Sequence, residues 1–150
     1  DLISKVIEVV NVYYVIANNK SVELIHDFEE FTILNILVDP AQLNVILHNL
    51  LSNAVKFAPP KDIVRISYSY NEQNVCIKFF NAGKPIEMKK IIQIENSLSK
   101  VESEYGTFNE RGTGIGLILV KQYLIPNQAS LEITPIEGEG TEFKVCFQKQ

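Results

Sequence analysis

Asp39-Pro40-Ala41-Gln42-Leu43-Asn44-Val45-Ile46-Leu47-His48-Asn49-Leu50-Leu51-Ser52-Asn53-Ala54-Val55-Lys56-Phe57 reads as a single amphipathic helix. Asp39 stands at the N-cap with Pro40 at the first helical position, where its missing N–H costs nothing. Pro59-Pro60 ends the run. On a 3.6-residue wheel Leu43, Ile46, Leu47, Leu50, Ala54 and Phe57 share one face, which must pack on a core. Beside that face, at i, i+4 and i+7, stand Asn49, Asn53 and Lys56. Asparagine inside a helix costs up to about 0.7 kcal/mol relative to alanine, so two in register ask for a reason. A carboxamide oxygen is a hard neutral ligand suited to a Mg²⁺ shell of phosphate oxygens and water, and an ammonium neutralises phosphate charge. Taken alone, such a pair more often bonds to neighbouring loops, so the rest of the chain must decide.

Upstream, Leu2, Ile3, Val6, Ile7, Val10, Tyr13 and Tyr14 recur at helical spacing, and Asn18-Asn19-Lys20 is a polar stop. Alternation from Val22 to Phe28 places Val22, Leu24, His26 and Phe28 on one side of a strand, and Ile36-Leu37-Val38 is a second short strand candidate. Downstream, Ile63 to Tyr70 and Val75 to Phe80 form an antiparallel pair around Asn71-Glu72-Gln73-Asn74. A weaker helix runs from Glu87 to about Leu98, a polar stretch from Ser99 to Arg111, and an apolar helix from Gly116 to a stop before Pro126. Ala129 to Ile136 and Thr141 to Phe147 make a last hairpin. Strands in neighbouring pairs with helices between them imply a two-layer α/β sandwich, its sheet mixed and mostly antiparallel, packed on three main helices.

Three glycine segments punctuate this pattern. Arg111-Gly112-Thr113-Gly114-Ile115-Gly116-Leu117 opens the apolar helix without a polar cap. Alternate glycines admit a bulky anion to a helix start whose N–H groups and dipole favour negative charge. No Gly-Lys-Ser/Thr follows and no strand precedes, so it is neither a Walker loop nor a dinucleotide fingerprint. Asn81-Ala82-Gly83-Lys84-Pro85-Ile86 leaves one strand, and Gly138-Glu139-Gly140-Thr141-Glu142-Phe143 makes the last hairpin. Each alone is a turn; their order carries the information.

In that order, Asn49 to Phe57 resembles the N box of sensor histidine kinases, Asn81 to Ile86 their first glycine box, Arg111 to Leu117 the second and Gly138 to Phe143 the third. The resemblance spans essentially the whole chain and is to the catalytic, ATP-binding domain of the GHKL superfamily, with Lys56-Phe57 favouring its histidine-kinase branch. It implies the Bergerat fold and a site for ATP and Mg²⁺. Carried over by position, Asn53 would ligate Mg²⁺, with Asn49 as its polar neighbour. Lys56 would meet the phosphates and Phe57 the adenine, Asn49 and Lys56 being the catalytic pair. Asn81, Gly83 and Ile86 would line the base, Thr141 would lie near it, and Gly112, Thr113, Gly114, Ile115, Gly116 and Leu117 would wrap the phosphates. Lys84 to Arg111 would contain an ATP lid, and Lys100, within Ser99-Lys100-Val101-Glu102, would stand where the family has an arginine near the γ-phosphate. The sequence departs from the family at three points: Asn81 replaces an aspartate, Pro85 a glycine, and Val45 an acidic or amide residue. Asn81 can accept the adenine amino hydrogen bond only without charge assistance, and Val45 can neither orient a water nor take a proton.

Bulk properties fit this reading. At 150 residues the chain is one domain with room for a core, expected to be a piece of a longer protein since it opens within a helical pattern without Met. Eighteen acidic against 14 basic residues leave no footprint for nucleic acid. No run reaches the length of a membrane span, so the domain is expected in the cytoplasm, its parent compatible with an anchor in the inner or plasma membrane. Cys76 and Cys146 are far apart, without metal or redox spacing, and read as buried core thiols of a reducing compartment. His26-Asp27 superficially resembles a phosphoacceptor pair, but it sits in a strand pattern, and the acceptor would belong to a dimerisation hairpin outside the chain. His48 lies off the asparagine stripe and reads as packing. The leading function is therefore the ATP-binding module of a two-component histidine kinase, homodimeric in its parent and passing phosphate on to a response regulator. The alternatives are a degenerate nucleotide-binding or interaction module, and another GHKL enzyme such as an anti-sigma serine kinase or a chaperone- or topoisomerase-type ATPase. The last group usually carries a glutamate on the N-box helix, and none lies between Ala41 and Phe57.

Overall fold

The structure, a computed structural model, describes residues 1–28, 32–96 and 115–150. Among these are helices α1 (Leu2–Asn19), α2 (Pro40–Phe57), α3 (Met88–Asn96) and α4 (Gly116–Leu124), and strands β1 (Glu23–His26), β2 (Ile63–Tyr70), β3 (Asn74–Ala82), β4 (Ser130–Ile136) and β5 (Gly140–Gln148). The five strands form one sheet in the order β1-β2-β3-β5-β4. Only β1 and β2 pair in parallel; the other three pairings are antiparallel. The parallel pair needs a crossover, and α2 lies in that connection. The expected two-layer sandwich with a mixed, mostly antiparallel sheet is the fold observed.

The strand alternation explains the two layers. Val64 and Ile66 on β2, Val75, Ile77 and Phe79 on β3, and Phe143, Val145 and Phe147 on β5 are buried. They face α1, α2 and α4, which pack against the sheet and one another. The intervening Arg65, Lys78, Lys144 and Glu132 point the other way, where Lys144 pairs with Glu132 at 3.3 Å. Leu43, Ile46, Leu47, Leu50, Leu51, Ala54 and Val55 are the buried face of α2. Burying one such leucine fully is worth about 1.5–3 kcal/mol, so this helix is held by its stripe more than by propensity. Asp39 Oδ1 accepts from Gln42 N at 2.9 Å, the N-cap the sequence called for.

Two expectations are corrected. Ile36-Leu37-Val38 is not a strand: Ile36 makes an isolated bridge to Lys149, and Leu37 is 82% exposed. Only Ile36 meets a bridging partner, while Leu37 faces solvent, so no ladder forms. Cys76 and Cys146 are not buried thiols. Each is half-buried on the face of the sheet away from the helices, one step out of phase with Val75, Ile77, Val145 and Phe147. They are directly opposed across β3 and β5, with Cα atoms 4.0 Å apart, and joined as a disulfide. Their apolar sequence neighbours lie on the opposite face, as period-two geometry requires. The pairing removes the argument from free thiols to a reducing compartment. Among the described residues no helix is long and apolar enough to cross a membrane.

Candidate functional site

Helices α2 and α4 run antiparallel and are pinned at both ends of their contact. At one end Asn127, just past α4, accepts from Asp39 N (3.1 Å) and donates to Gln42 Oε1 (2.7 Å) and to Tyr123 O (2.6 Å). At the other end Gly116, the first residue of α4, lies against Asn49: a Cβ there would fall 2.3 Å from Asn49 Oδ1. The separation from Gln42 to Asn49 along α2 equals that from Tyr123 back to Gly116 along α4, about 10 Å on either helix. Glycine at position 116 leaves the space of a side chain to the asparagine carboxamide. Asn49 Nδ2 donates to Val45 O at 2.7 Å, which turns Oδ1 toward the start of α4. Valine at 45 contributes only its backbone to the polar flank. Ile115 supplies no side-chain cap to α4, leaving its start to the backbone N–H groups that favour anions.

Asn53 and Lys56 are half-buried further along the flank of α2 and Phe57 at the helix end, and Lys56 Nζ sits 4.9 Å from the centre of the Phe57 ring. The helix ends against the first glycine turn: a Cβ on Gly83, whose φ is +116°, would meet Pro59 Cδ at 2.9 Å. That turn is locked to the last hairpin. Gly83 N donates to Glu139 O at 3.0 Å and Ile86 N to Thr141 Oγ1 at 2.9 Å. Gly140 lets β5 close on β3, since a Cβ would lie 2.0 Å from Asn81 O. Asn81 and Thr141 pair across β3 and β5 and are the buried polar residues of this wall, 2% and 3% exposed. The Asn81 carboxamide donates to Ala82 O at 3.1 Å.

Thus Asn49, Asn53 and Lys56 stand on one flank of α2; Phe57, expected on the core face, is instead half-buried beside Lys56 at the helix end and outside the core. Gly116 faces the flank, and Asn81, Gly83, Ile86 and Thr141 form a second cluster at the C-terminal end of α2. Ile115 is exposed and Leu117 half-buried on the first turn of α4. Lys100, Gly112, Thr113 and Gly114 lie outside the described residues, as does most of the lid expected within Lys84 to Arg111. No group of His, Cys, Asp and Glu among the described residues is arranged to hold a metal. His26 is exposed at the end of β1, stacked on Phe28 with ring centres 5.0 Å apart. His48 packs beside Tyr13, whose hydroxyl donates to His48 O at 3.3 Å. Burial raises the Tyr13 hydroxyl above its usual value, and a hydrogen bond with Ser52 partly opposes this.

Lys20 reads in the sequence only as a helix stop, yet it is 6% exposed and bonds to the backbone at the end of α2. Its ammonium donates to Val55 O at 2.9 Å and to Lys56 O. The signal was Pro59-Pro60: in a helix, the carbonyls of Val55 and Lys56 would take their donors from positions 59 and 60, and proline has none.

Helices packed on one face of a mixed sheet, with glycine turns closing at the C-terminal end of α2, define the class as a two-layer α/β sandwich. The chain belongs to the family of histidine kinase-, DNA gyrase B- and HSP90-like ATPases, whose model matches residues 38–150. It is 33% identical over 107 residues to the phosphate regulon sensor protein PhoR of Pseudomonas aeruginosa, an alignment covering 71% of this chain and 24% of the relative. It is 33% identical over 146 residues to the autoinducer 2 sensor kinase/phosphatase LuxQ of Vibrio harveyi, covering 91% of this chain and 16% of the relative. The chain thus spans about a quarter or less of the length of these curated relatives. Among solved structures, a nucleotide-free catalytic domain of histidine kinase ThkA superposes with a TM-score of 0.80 at 18% identity, covering 99% of this chain and 95% of that one. Full-length ShkA in complex with AMPPNP superposes with a TM-score of 0.77 at 21% identity, covering all of this chain and 31% of that one. These likenesses establish the fold.

Proposed function

We propose that this domain binds Mg·ATP between the polar flank of α2 and the start of α4 and, within a longer two-component sensor histidine kinase, presents the γ-phosphate to a histidine on a dimerisation domain outside the chain. The observation that carries the reading is the approach of Gly116 to Asn49: the space of a side chain is given up so that a carboxamide oxygen can face a helix start lacking a side-chain cap. That arrangement fits a phosphate–metal group, supplied with neutral oxygens from α2 and N–H donors from α4.

In this reading Asn53 would ligate Mg²⁺ with Asn49 as its polar neighbour, and Lys56 would offset phosphate charge. The metal would neutralise charge on the phosphate oxygens. By the same resemblance Gly112, Thr113 and Gly114, with Ile115, Gly116 and Leu117 after them, would be the phosphate contacts, and Lys100 would stand for the family's arginine near the γ-phosphate. Phe57, Gly83, Ile86 and Thr141 shape the adenine pocket, where Asn81 accepts from the amino group. Catalysis in the homodimeric parent is positioning and charge neutralisation, followed by transfer from the phosphohistidine to a response regulator. The domain works on the cytoplasmic side, whether or not the parent is membrane-anchored. By itself it binds nucleotide and hardly turns it over.

The test is calorimetric titration with AMPPNP, with and without Mg²⁺, on wild type and Asn53→Ala. The wild type is expected to bind more tightly with Mg²⁺, and Asn53→Ala to lose about tenfold or more of the Mg²⁺-dependent affinity. A wild type that binds no nucleotide ends the reading. Nucleotide binding without phosphohistidine formation in the parent, after its helical hairpin is supplied, identifies a degenerate module instead.

A further inference from the structure

Val55 and Lys56 close α2 with carbonyls that the next residues cannot serve. Their helical donors would be the backbone nitrogens of Pro59 and Pro60, which bear no hydrogen. A buried ammonium occupies that place: Lys20, the C-cap residue of α1, donates to both carbonyls. Its positive charge also lies at the negative end of the α2 dipole. The backbone around Lys20 is itself tied to the same corner, since Lys61 N donates to Ser21 O at 2.6 Å and Glu23 N to Asp62 O at 2.9 Å. Pro59, one turn on, abuts Gly83 at the first glycine turn. One side chain thus holds the last turn of α2 by its backbone carbonyls.

We infer that Lys20 is a positioning residue of the nucleotide site, replacing the two donors that Pro59 and Pro60 cannot supply and so setting the orientation of Lys56 and Phe57. This rests on the reading of those two residues as phosphate and adenine contacts. Without the ammonium, the two carbonyls lose a charged donor at a largely buried corner, and the last turn loosens to recover hydrogen bonds. Loosening rotates Lys56 off the flank shared with Asn49 and Asn53, moves Phe57 with it, and shifts Pro59 against Gly83. The loss is therefore felt in nucleotide affinity as well as in stability.

The experiment titrates AMPPNP with Mg²⁺ into the wild-type chain, Lys20→Met, Lys20→Arg and Leu131→Ala, the last trimming the core at distant β4. All are measured at a temperature where circular dichroism shows them folded. Lys20→Met keeps the apolar stem without the donors and is expected to bind about tenfold more weakly. Lys20→Arg, which keeps charge and donors, is expected to stay within about threefold of wild type, and Leu131→Ala to match it. Wild-type affinity in Lys20→Met overturns the inference, as does an equal loss in Leu131→Ala, which would make the effect one of stability. A wild type that binds no nucleotide defeats the functional reading first and takes this inference with it. Should Lys20→Met not fold, the Lys20 ammonium resonance of ¹⁵N-labelled wild type decides. A shift on nucleotide addition supports the inference, and a resonance that ignores nucleotide overturns it.

Discussion

A methyl group added at position 116 and one added at position 140 meet different obstacles. At 116 the clash is with Asn49 Oδ1, the tip of a side chain that can swing away. Gly116→Ala is accordingly expected to change stability by no more than about 1 kcal/mol, because alanine favours the helix while Asn49 gives way. On the proposed function its nucleotide affinity is expected to fall in the same titration, because the carboxamide is turned away from the start of α4. At 140 the clash is with the Asn81 carbonyl and the Ala82 Cα, neither of which can rotate. Gly140→Ala is expected to cost about 2–4 kcal/mol in urea denaturation, since β5 must separate from β3 to admit it. Tyr13 adds a pH dependence. Burial raises its folded value above 10.0, so the unfolded chain releases this proton first. Its contribution is complete below pH 10.0 and is lost as pH rises through the raised folded value. Tyr13→Phe should flatten the alkaline limb of a plot of stability against pH.

Among the elements, α2 was the most legible, because cap, apolar stripe and proline stop all agree with one another. Its asparagine flank was visible too, since on a helix spacing alone fixes which side chains share a face. Asp39→Ala is expected to lower stability by about 1 kcal/mol, read as a shift of the urea midpoint, the usual worth of an N-cap. The two hairpins and their pairing followed from period-two alternation and turn chemistry. What escaped was long-range. Nothing near Lys20 in the chain announces that its ammonium will reach carbonyls more than 30 residues away; only the missing donors at Pro59 and Pro60 hint that some partner is needed. Lys121 makes a parallel arrangement on a second helix, donating to Ile94 O at 2.7 Å and Glu95 O at 2.6 Å at the end of α3. For the cysteines, composition stood in for phase: an apolar neighbourhood says little about which face of a strand a residue occupies. Ile36-Leu37-Val38 had the right residue types, but only Ile36 found a partner, the distant Lys149.

At the scale of the molecule, the Cys76–Cys146 bond joins neighbouring strands across 70 residues of sequence. Constraining a loop of that size stabilises a fold by about 2–4 kcal/mol, mainly through the unfolded chain. Cys76→Ser, or addition of dithiothreitol to wild type, should lower the urea midpoint correspondingly; equal midpoints with and without reductant would show that the bond does not form in solution. The sheet order matters in another way. β5 lies between β3 and β4, although it follows both in the chain. While the polypeptide emerges from a ribosome, the two strands it will join present unpaired edges that nothing yet fills. The sheet stays open until the last strand clears the exit tunnel, so a nascent chain stalled before Gly140 is expected to aggregate more readily than one stalled after Gln148.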